Sequence, residues 1–158
     1  MEFKTADLSD EYGDELQICA TAFQHYGGKR RFMGTIQTVK VFEDNIKVRE
    51  AIESVESGSV IVVDGGGSLK CALLGDQLAA LAASRGIEGV IVNGGVRDVG
   101  ELRTTDLGVL ALGSNPKKSK KNGAGERGVT LVFGDVEWRL GDYVYVDDDG
   151  VVISKIKR

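Results

Sequence analysis

Val60-Ile61-Val62-Val63-Asp64-Gly65-Gly66-Gly67-Ser68 is the stretch that decides the fold. Four apolar residues in a row leave no wet face, so they read as a strand buried on both sides, as in a parallel sheet. The glycines that follow suit a tight turn at the end of that strand. A second run of the same kind, Gly89-Val90-Ile91-Val92, closes on Asn93-Gly94-Gly95. Between the two, Leu74, Leu78, Leu81 and Ala82 recur at helical spacing, and Gly86 ends that helix. Upstream, residues 34–42 are β-branched and partly alternating (Ile36, Thr38, Val39, Val41), which predicts a strand. Val48, Ala51, Ile52 and Val55 then form the apolar stripe of a helix that Gly58 stops. Downstream come a short helix over residues 97–102 and a strand over 109–112. This βαβαβ rhythm implies a parallel sheet with right-handed crossovers.

The two ends differ from this core. Thr5-Ala6-Asp7-Leu8-Ser9-Asp10 supplies capping side chains ahead of Tyr12 and predicts a short N-terminal helix. Residues 129–133, 136–138, 143–146 and 151–154 read as short strands. They are separated by the turns Gly134-Asp135, Gly141-Asp142 and Asp148-Asp149-Gly150. The expected fold is therefore α/β, a parallel core with a C-terminal β-meander packed beside it. No repeat or long linker divides the 158 residues, so they are read as one domain.

Composition narrows the function. A net charge of -4 argues against a general nucleic-acid binder. Cys19 and Cys71, outside any C-x-x-C spacing, read as reduced thiols. The N-terminal residues lack the regions of a signal peptide, and no run of about 18 apolar residues occurs, so a cytoplasmic protein with no membrane contact is expected. His25 is the only histidine. A Ser-His-Asp or Cys-His site would have to use it, no G-x-S-x-G elbow is present, and zinc sites lack ligands. The loop Gly65-Gly66-Gly67-Ser68-Leu69-Lys70 fails both phosphate-binding glycine patterns, because Lys70 stands where a glycine belongs. Lys117-Lys118-Ser119-Lys120-Lys121-Asn122-Gly123 reads as a solvated, mobile loop, with contact to an acidic partner as the other reading.

Two segments remain. Gly75-Asp76-Gln77-Leu78 opens a helix, where first-turn amides lack intrahelical partners and suit a carboxylate or phosphate. A plain glycine turn with Asp76 capping its own helix explains it equally well. Arg97-Asp98-Val99-Gly100-Glu101 follows the second buried strand, at the sheet edge where α/β proteins bind ligands. Arg97 offers a planar fork for a carboxylate. Asp98 and Glu101 stand at i and i+3, a pairing that suits a hard cation such as Mg²⁺ or Mn²⁺. A surface Arg–Asp pair is the alternative.

Thr5–Asp10 as written above, Val62-Val63-Asp64-Gly65-Gly66-Gly67-Ser68, Ala72-Leu73-Leu74-Gly75-Asp76, Asn93-Gly94-Gly95-Val96-Arg97-Asp98 and Gly141-Asp142-Tyr143 with Asp147-Asp148-Asp149-Gly150 together closely resemble the RraA-like family. That family holds 4-hydroxy-4-methyl-2-oxoglutarate aldolases and the regulator of ribonuclease E activity A. The resemblance implies a β/β/α fold of the phosphohistidine-swivelling-domain type, assembled as a homotrimer or a dimer of trimers. It implies a divalent-metal-dependent class II pyruvate aldolase with oxaloacetate decarboxylase activity, working through a metal-stabilised pyruvate enolate. Arg97 and the amides of Gly75, Asp76, Gln77 and Leu78 would then hold the pyruvate moiety of a small 2-oxo acid. Asp98 would be the metal ligand, and Glu101 would act through water. The alternative within the family is a non-catalytic regulator that binds and inhibits ribonuclease E.

Overall fold

In the computed structural model, which describes residues 2–158, the two apolar runs are neighbouring parallel strands of a ten-stranded mixed sheet. In chain order the elements are α1 (Thr5–Tyr12), β1 (Leu16–Ile18), β2 (Gln24–His25), β3 (Phe32–Lys40), α2 (Ile46–Ser54), β4 (Ser59–Asp64), β5 (Ala72–Leu74) and α3 (Asp76–Ser84). Then follow β6 (Gly89–Val96), α4 (Val99–Leu102), β7 (Gly108–Ser114), β8 (Glu126–Arg127), β9 (Leu131–Phe133), β10 (Val136–Trp138), β11 (Tyr143–Val146) and β12 (Val151–Ser154). The main sheet runs β1-β12-β11-β3-β4-β6-β7-β2, with β5 paired to β6 and β8 to β3. Strands β3, β4, β6 and β7 are parallel, and the flanking strands are antiparallel.

Alternation along the central strands builds two apolar layers. Ile61, Val63, Val90 and Val92 face α2 and α3, where they join Ile52 and Ala79 in one core. Val60, Val62 and Ile91 face the other way and join Phe32, Leu131 and Trp138, the last two from the separate β9–β10 pair. Each fully buried side chain of this kind contributes roughly 1.5–3 kcal/mol. Helices, central sheet and small second sheet form the β/β/α layering. Gly89 and Gly108, paired in register at the start of β6 and β7, make a flat floor for the fully buried Phe32 ring. A Cβ on either glycine would run into that ring.

Several local expectations shift. Leu74, assigned by spacing to a helix, instead ends β5, and the helix begins at Asp76 after an extended Gly75. Strand β6 continues through Asn93-Gly94-Gly95 to Val96, because β5 and β7 both pair with its far end past a bulge. Asp98 lies in the left-handed region (φ 59°), so α4 is shortened to Val99–Leu102. The C-terminal strands are all present; β11 pairs with β3 and β12 with β11, which extends the main sheet. Helix α1 has no side-chain cap of its own. The Thr5 N–H and hydroxyl donate to the Asp147 carboxylate at 2.7 and 2.6 Å, which ties the helix to the β11–β12 turn. Among the described residues, no helix is long and apolar enough to cross a membrane.

Candidate active site

The carboxyl ends of the parallel strands open onto a cleft of about 570 Å³. One wall is formed by Gly75, Asp76, Gln77 and Leu78 at the start of α3, with Arg97 and Asp98 beyond the end of β6. The cleft is also lined by Asn45 and Arg49 from the α2 region and by Lys118, Ser119 and Lys121 from the lysine-rich segment; the Pro116 carbonyl just ahead of that segment meets the tip of Arg97. Of the sequence-derived candidates, Gly75, Asp76, Gln77, Leu78, Arg97 and Asp98 are thus brought together.

Arg97 is held at its backbone by an N–H donated to the Leu74 carbonyl at 2.9 Å, and at its tip by a bond to the Pro116 carbonyl at 3.3 Å. The left-handed turn at Asp98 swings its carboxylate toward α3, where it accepts the Asp76 N–H at 2.9 Å. Gly75 is the spacer between them, because a Cβ there would stand 2.7 Å from Asp98 Oδ2 and 3.3 Å from Arg97 Cγ. With the Asp76 amide committed, Gln77 and Leu78 remain as first-turn donors of α3 that the helix itself does not satisfy.

The electrostatics follow from this packing. The Asp76 amide, then the Asp76 side chain and the Arg97 charge, hold the Asp98 carboxyl below its ordinary range. Asp76 is pushed up in turn by its hydrogen bond to the Asp98 side chain, then by burial and by the charges of Asp98 and Glu101. Glu101 sits exposed on α4, outside the residues lining the cleft, yet its charge reaches Asp76. Asp98 therefore finds its first acidic neighbour in Asp76, on another element. Among the described residues, no group of three or more His, Cys, Asp or Glu side chains is arranged to hold a metal ion.

The other chemical candidates have structural roles. The Gly66 amide donates to Asp64 Oδ1, and the Gly65 and Gly67 amides donate to the Asn93 carbonyl, so the triple-glycine loop is an internally bonded turn. His25 Nε2 lies 3.0 Å from the Asp147 carbonyl, and burial lowers its pKa. Burial raises the pKa of both Cys19 and Cys71, which keeps the thiols protonated. The lysine-rich segment is not a loose loop. It is bridged to Ala72 and Asp44, which brings Lys118 and Lys121 into the cleft wall. Sequence reasoning missed this wall. Only the Asn45 part had a signal, since β3 is a parallel strand and the loop after it lies at the same ligand-binding edge.

A family model described as RraA-like, Aldolase/RraA, matches residues 5–153. A Bacillus cereus protein named "Putative 4-hydroxy-4-methyl-2-oxoglutarate aldolase" is 54% identical over 153 residues, covering 97% of this chain and 96% of its own. A solved Geobacillus kaustophilus structure, described as an S-adenosylmethionine:2-dimethylmenaquinone methyltransferase, superposes with a TM-score of 0.97 at 55% identity, covering 98% of this chain and 96% of its own. The RNA-processing inhibitor RraA from Thermus thermophilis gives 0.96 at 44% identity, covering 100% and 96%.

Proposed function

The chain belongs to the RraA-like family, and from that premise we propose that it is a divalent-metal-dependent pyruvate aldolase acting on 4-hydroxy-4-methyl-2-oxoglutarate, with oxaloacetate decarboxylase activity. The observation that carries this reading is Arg97 seated beside the Asp76–Asp98 carboxylate pair and the first-turn amides of α3, all in one cleft. The pair also fits a cation. Two carboxylates this closely coupled repel when both are ionised, and a proton or a divalent ion relieves the repulsion. The donors are oxygens, which suits Mg²⁺ or Mn²⁺, and Mg²⁺ keeps several of its own waters. Asp98 would hold the ion directly, with Asp76 and Glu101 ordering its waters. When bound, the ion supplies a Lewis acid for charge that develops on the 2-oxo oxygen.

The chain's own groups do the rest. Arg97 binds and orients the substrate carboxylate or 2-oxo group and adds positive potential where negative charge accumulates. The Gln77 and Leu78 amides present further donors at the positive end of α3. Decarboxylation of oxaloacetate requires no base, whereas aldol cleavage requires one for the 4-hydroxyl. Oxaloacetate is therefore the less demanding test substrate. Assembly as a homotrimer or a dimer of trimers in the cytoplasm belongs to the same proposal.

A second reading is regulation of ribonuclease E, favoured by the likeness to the Thermus thermophilis inhibitor. A chelation experiment separates the two. Turnover of oxaloacetate should vanish in chelator and return with Mg²⁺ or Mn²⁺. Absence of turnover with either ion moves the regulator reading ahead, and full turnover in chelator refutes the metal site.

A further inference from the structure

Apart from Asp76 and Asp98, the charged residues that line the cleft are cationic. Arg49, Lys118 and Lys121 join Arg97, so four cations share the cleft with the carboxylates of Asp76 and Asp98. A pyruvate moiety seated on Arg97 and the α3 amides leaves Lys118 and Lys121 without an anion. Arg49 is partly committed to Glu53 at 3.4 Å, but neither Lys118 nor Lys121 joins an ion pair among the described residues. Lys121 Nζ donates instead to Asn45 Oδ1 at 2.9 Å, and Asn45 in turn donates to the Leu73 carbonyl at 3.3 Å. A neutral amide thus holds the ammonium at the cleft without cancelling its charge.

The backbone that carries these lysines is pinned along its length. The Ala72 N–H donates to the Lys117 carbonyl at 2.8 Å, and the Lys120 N–H donates to the Glu43 carbonyl at 2.9 Å. Asp44, only 2% exposed, accepts the amides of Asn122 at 2.8 Å and Gly123 at 3.1 Å, together with that of Ile46 at 3.1 Å. A buried carboxylate is costly unless it is bonded in this way. Its bonds join the lysine strap to the start of α2, which carries Arg49.

We propose that this strap is the specificity element of the cleft. Lys118 and Lys121, with Arg49 beside them, take the distal carboxylate of a 2-oxo dicarboxylate whose 2-oxo acid end lies on Arg97. Asp44 is the positioning residue that fixes the strap. The inference rests on the seating of the 2-oxo acid end proposed above.

The test uses two acids of equal chain length, 2-oxoglutarate and 2-oxopentanoate, which differ in the terminal carboxylate. Calorimetric Kd values in Mg²⁺ buffer are measured for the intact protein and for Lys118→Met/Lys121→Met. The wild type should favour 2-oxoglutarate by about tenfold or more, as one charge-assisted contact allows, and the double variant should lose that preference. Asp44→Asn should lower the ratio as well, whereas a merely structural role would weaken both acids alike. A wild type that binds neither acid or shows no preference overturns the inference, and so does a double variant that retains the wild-type ratio. The activity reading fails separately. Preference lost in the double variant, without oxaloacetate turnover by the wild type, would keep the strap and remove the enzyme.

Discussion

Gly75→Ala probes the site with one methyl group. The backbone at Gly75 is extended (φ -129°, ψ -168°), so alanine meets no backbone strain. Its Cβ would nevertheless stand 2.7 Å from Asp98 Oδ2, 3.3 Å from Arg97 Cγ and 3.4 Å from Arg97 Nε. An ordinary carbon–oxygen contact is about 3.3 Å or longer, so the carboxylate must retreat by roughly half an ångström. That movement stretches the Asp76 N–H bond, now 2.9 Å, toward the limit of a useful hydrogen bond. The stability change should be small. A weakened bond at the mouth of a cleft loses about 1 kcal/mol, and the stiffer unfolded chain of the alanine variant offsets about half of that. For a domain of this size the net is a shift of Tm by about 2 °C. Catalysis should suffer far more, by up to about 100-fold, because both the arginine and the carboxylate are displaced from their working positions. The assay is kcat/KM for oxaloacetate decarboxylation beside a thermal melt. Gly100→Ala serves as the control, since a Cβ there meets nothing within 4 Å. Wild-type kcat/KM in Gly75→Ala, or a loss that appears only with a collapse of Tm, would refute the reasoning.

Other perturbations divide the site further. Asp98→Ala should abolish metal-dependent turnover, while Glu101→Ala should lose about 10–100-fold and recover in part with excess Mn²⁺. Metal titrations of initial rate check this, and equal losses in the two variants would contradict direct ligation by Asp98 alone. Arg97→Lys keeps the charge but loses the planar fork, so kcat/KM should fall even at saturating metal; an unchanged value would remove Arg97 from substrate binding. Asp44 titrates below its ordinary range: burial alone would raise it, but the amides of Ile46, Asn122, Ala124 and Gly123 outweigh burial. A depressed carboxyl contributes stability above its unfolded pKa of about 3.9 and loses it as pH falls through the folded value. Asp44→Asn should therefore be less stable than wild type in urea at pH 6, with the gap closing toward pH 3. A gap constant across that range would deny the ionised carboxylate its role.

The parallel core was legible because both of its faces are buried. Runs such as Val60–Val63 and Gly89–Val92 have no other comfortable state once helices and a second sheet cover them. The short C-terminal strands were legible from the turns between them, but β5, β1, β2 and β8 were not. Strand β5 has three residues, too few to show a period of two, and Leu74 also fits the helical spacing of Leu78 and Leu81. Strands β1, β2 and β8 are equally short and take their form from the edges they pair with: β12, β7 and β3. The extension of β6 through Asn93-Gly94-Gly95 overrode the turn chemistry of those residues, because ladder partners on both sides supplied hydrogen bonds that a turn would have forgone.

The site was legible at two places, the start of α3 and the end of β6. A glycine turn after a buried strand puts the next side chains at the ligand-binding edge, which was enough to single out Arg97 and Asp98. Spacing then pointed from Asp98 to Glu101, on the premise that both lie in one helical turn. The left-handed backbone at Asp98 removes it from that turn and aims it at Asp76, a partner 22 residues away along the chain. No periodicity encodes that contact. The lysine segment was hidden for a related reason, since its placement depends on Asp44, a carboxylate more than 70 positions upstream of Lys118 that bonds the amides of Asn122 and Gly123. Two solved structures share this backbone under two different functional names, and a curated sequence relative carries a third, so the fold alone selects none of them. What distinguishes a small-molecule site from a protein-docking face is charge brought together at a cost. Here the Asp76–Asp98 carboxylate pair shares a cleft of about 570 Å³ with the ammonium groups of Lys118 and Lys121, which have no carboxylate partner among the described residues. On the function proposed above, that mixture of charge suits a compact ligand that is anionic at each end and carries a divalent ion at one of them.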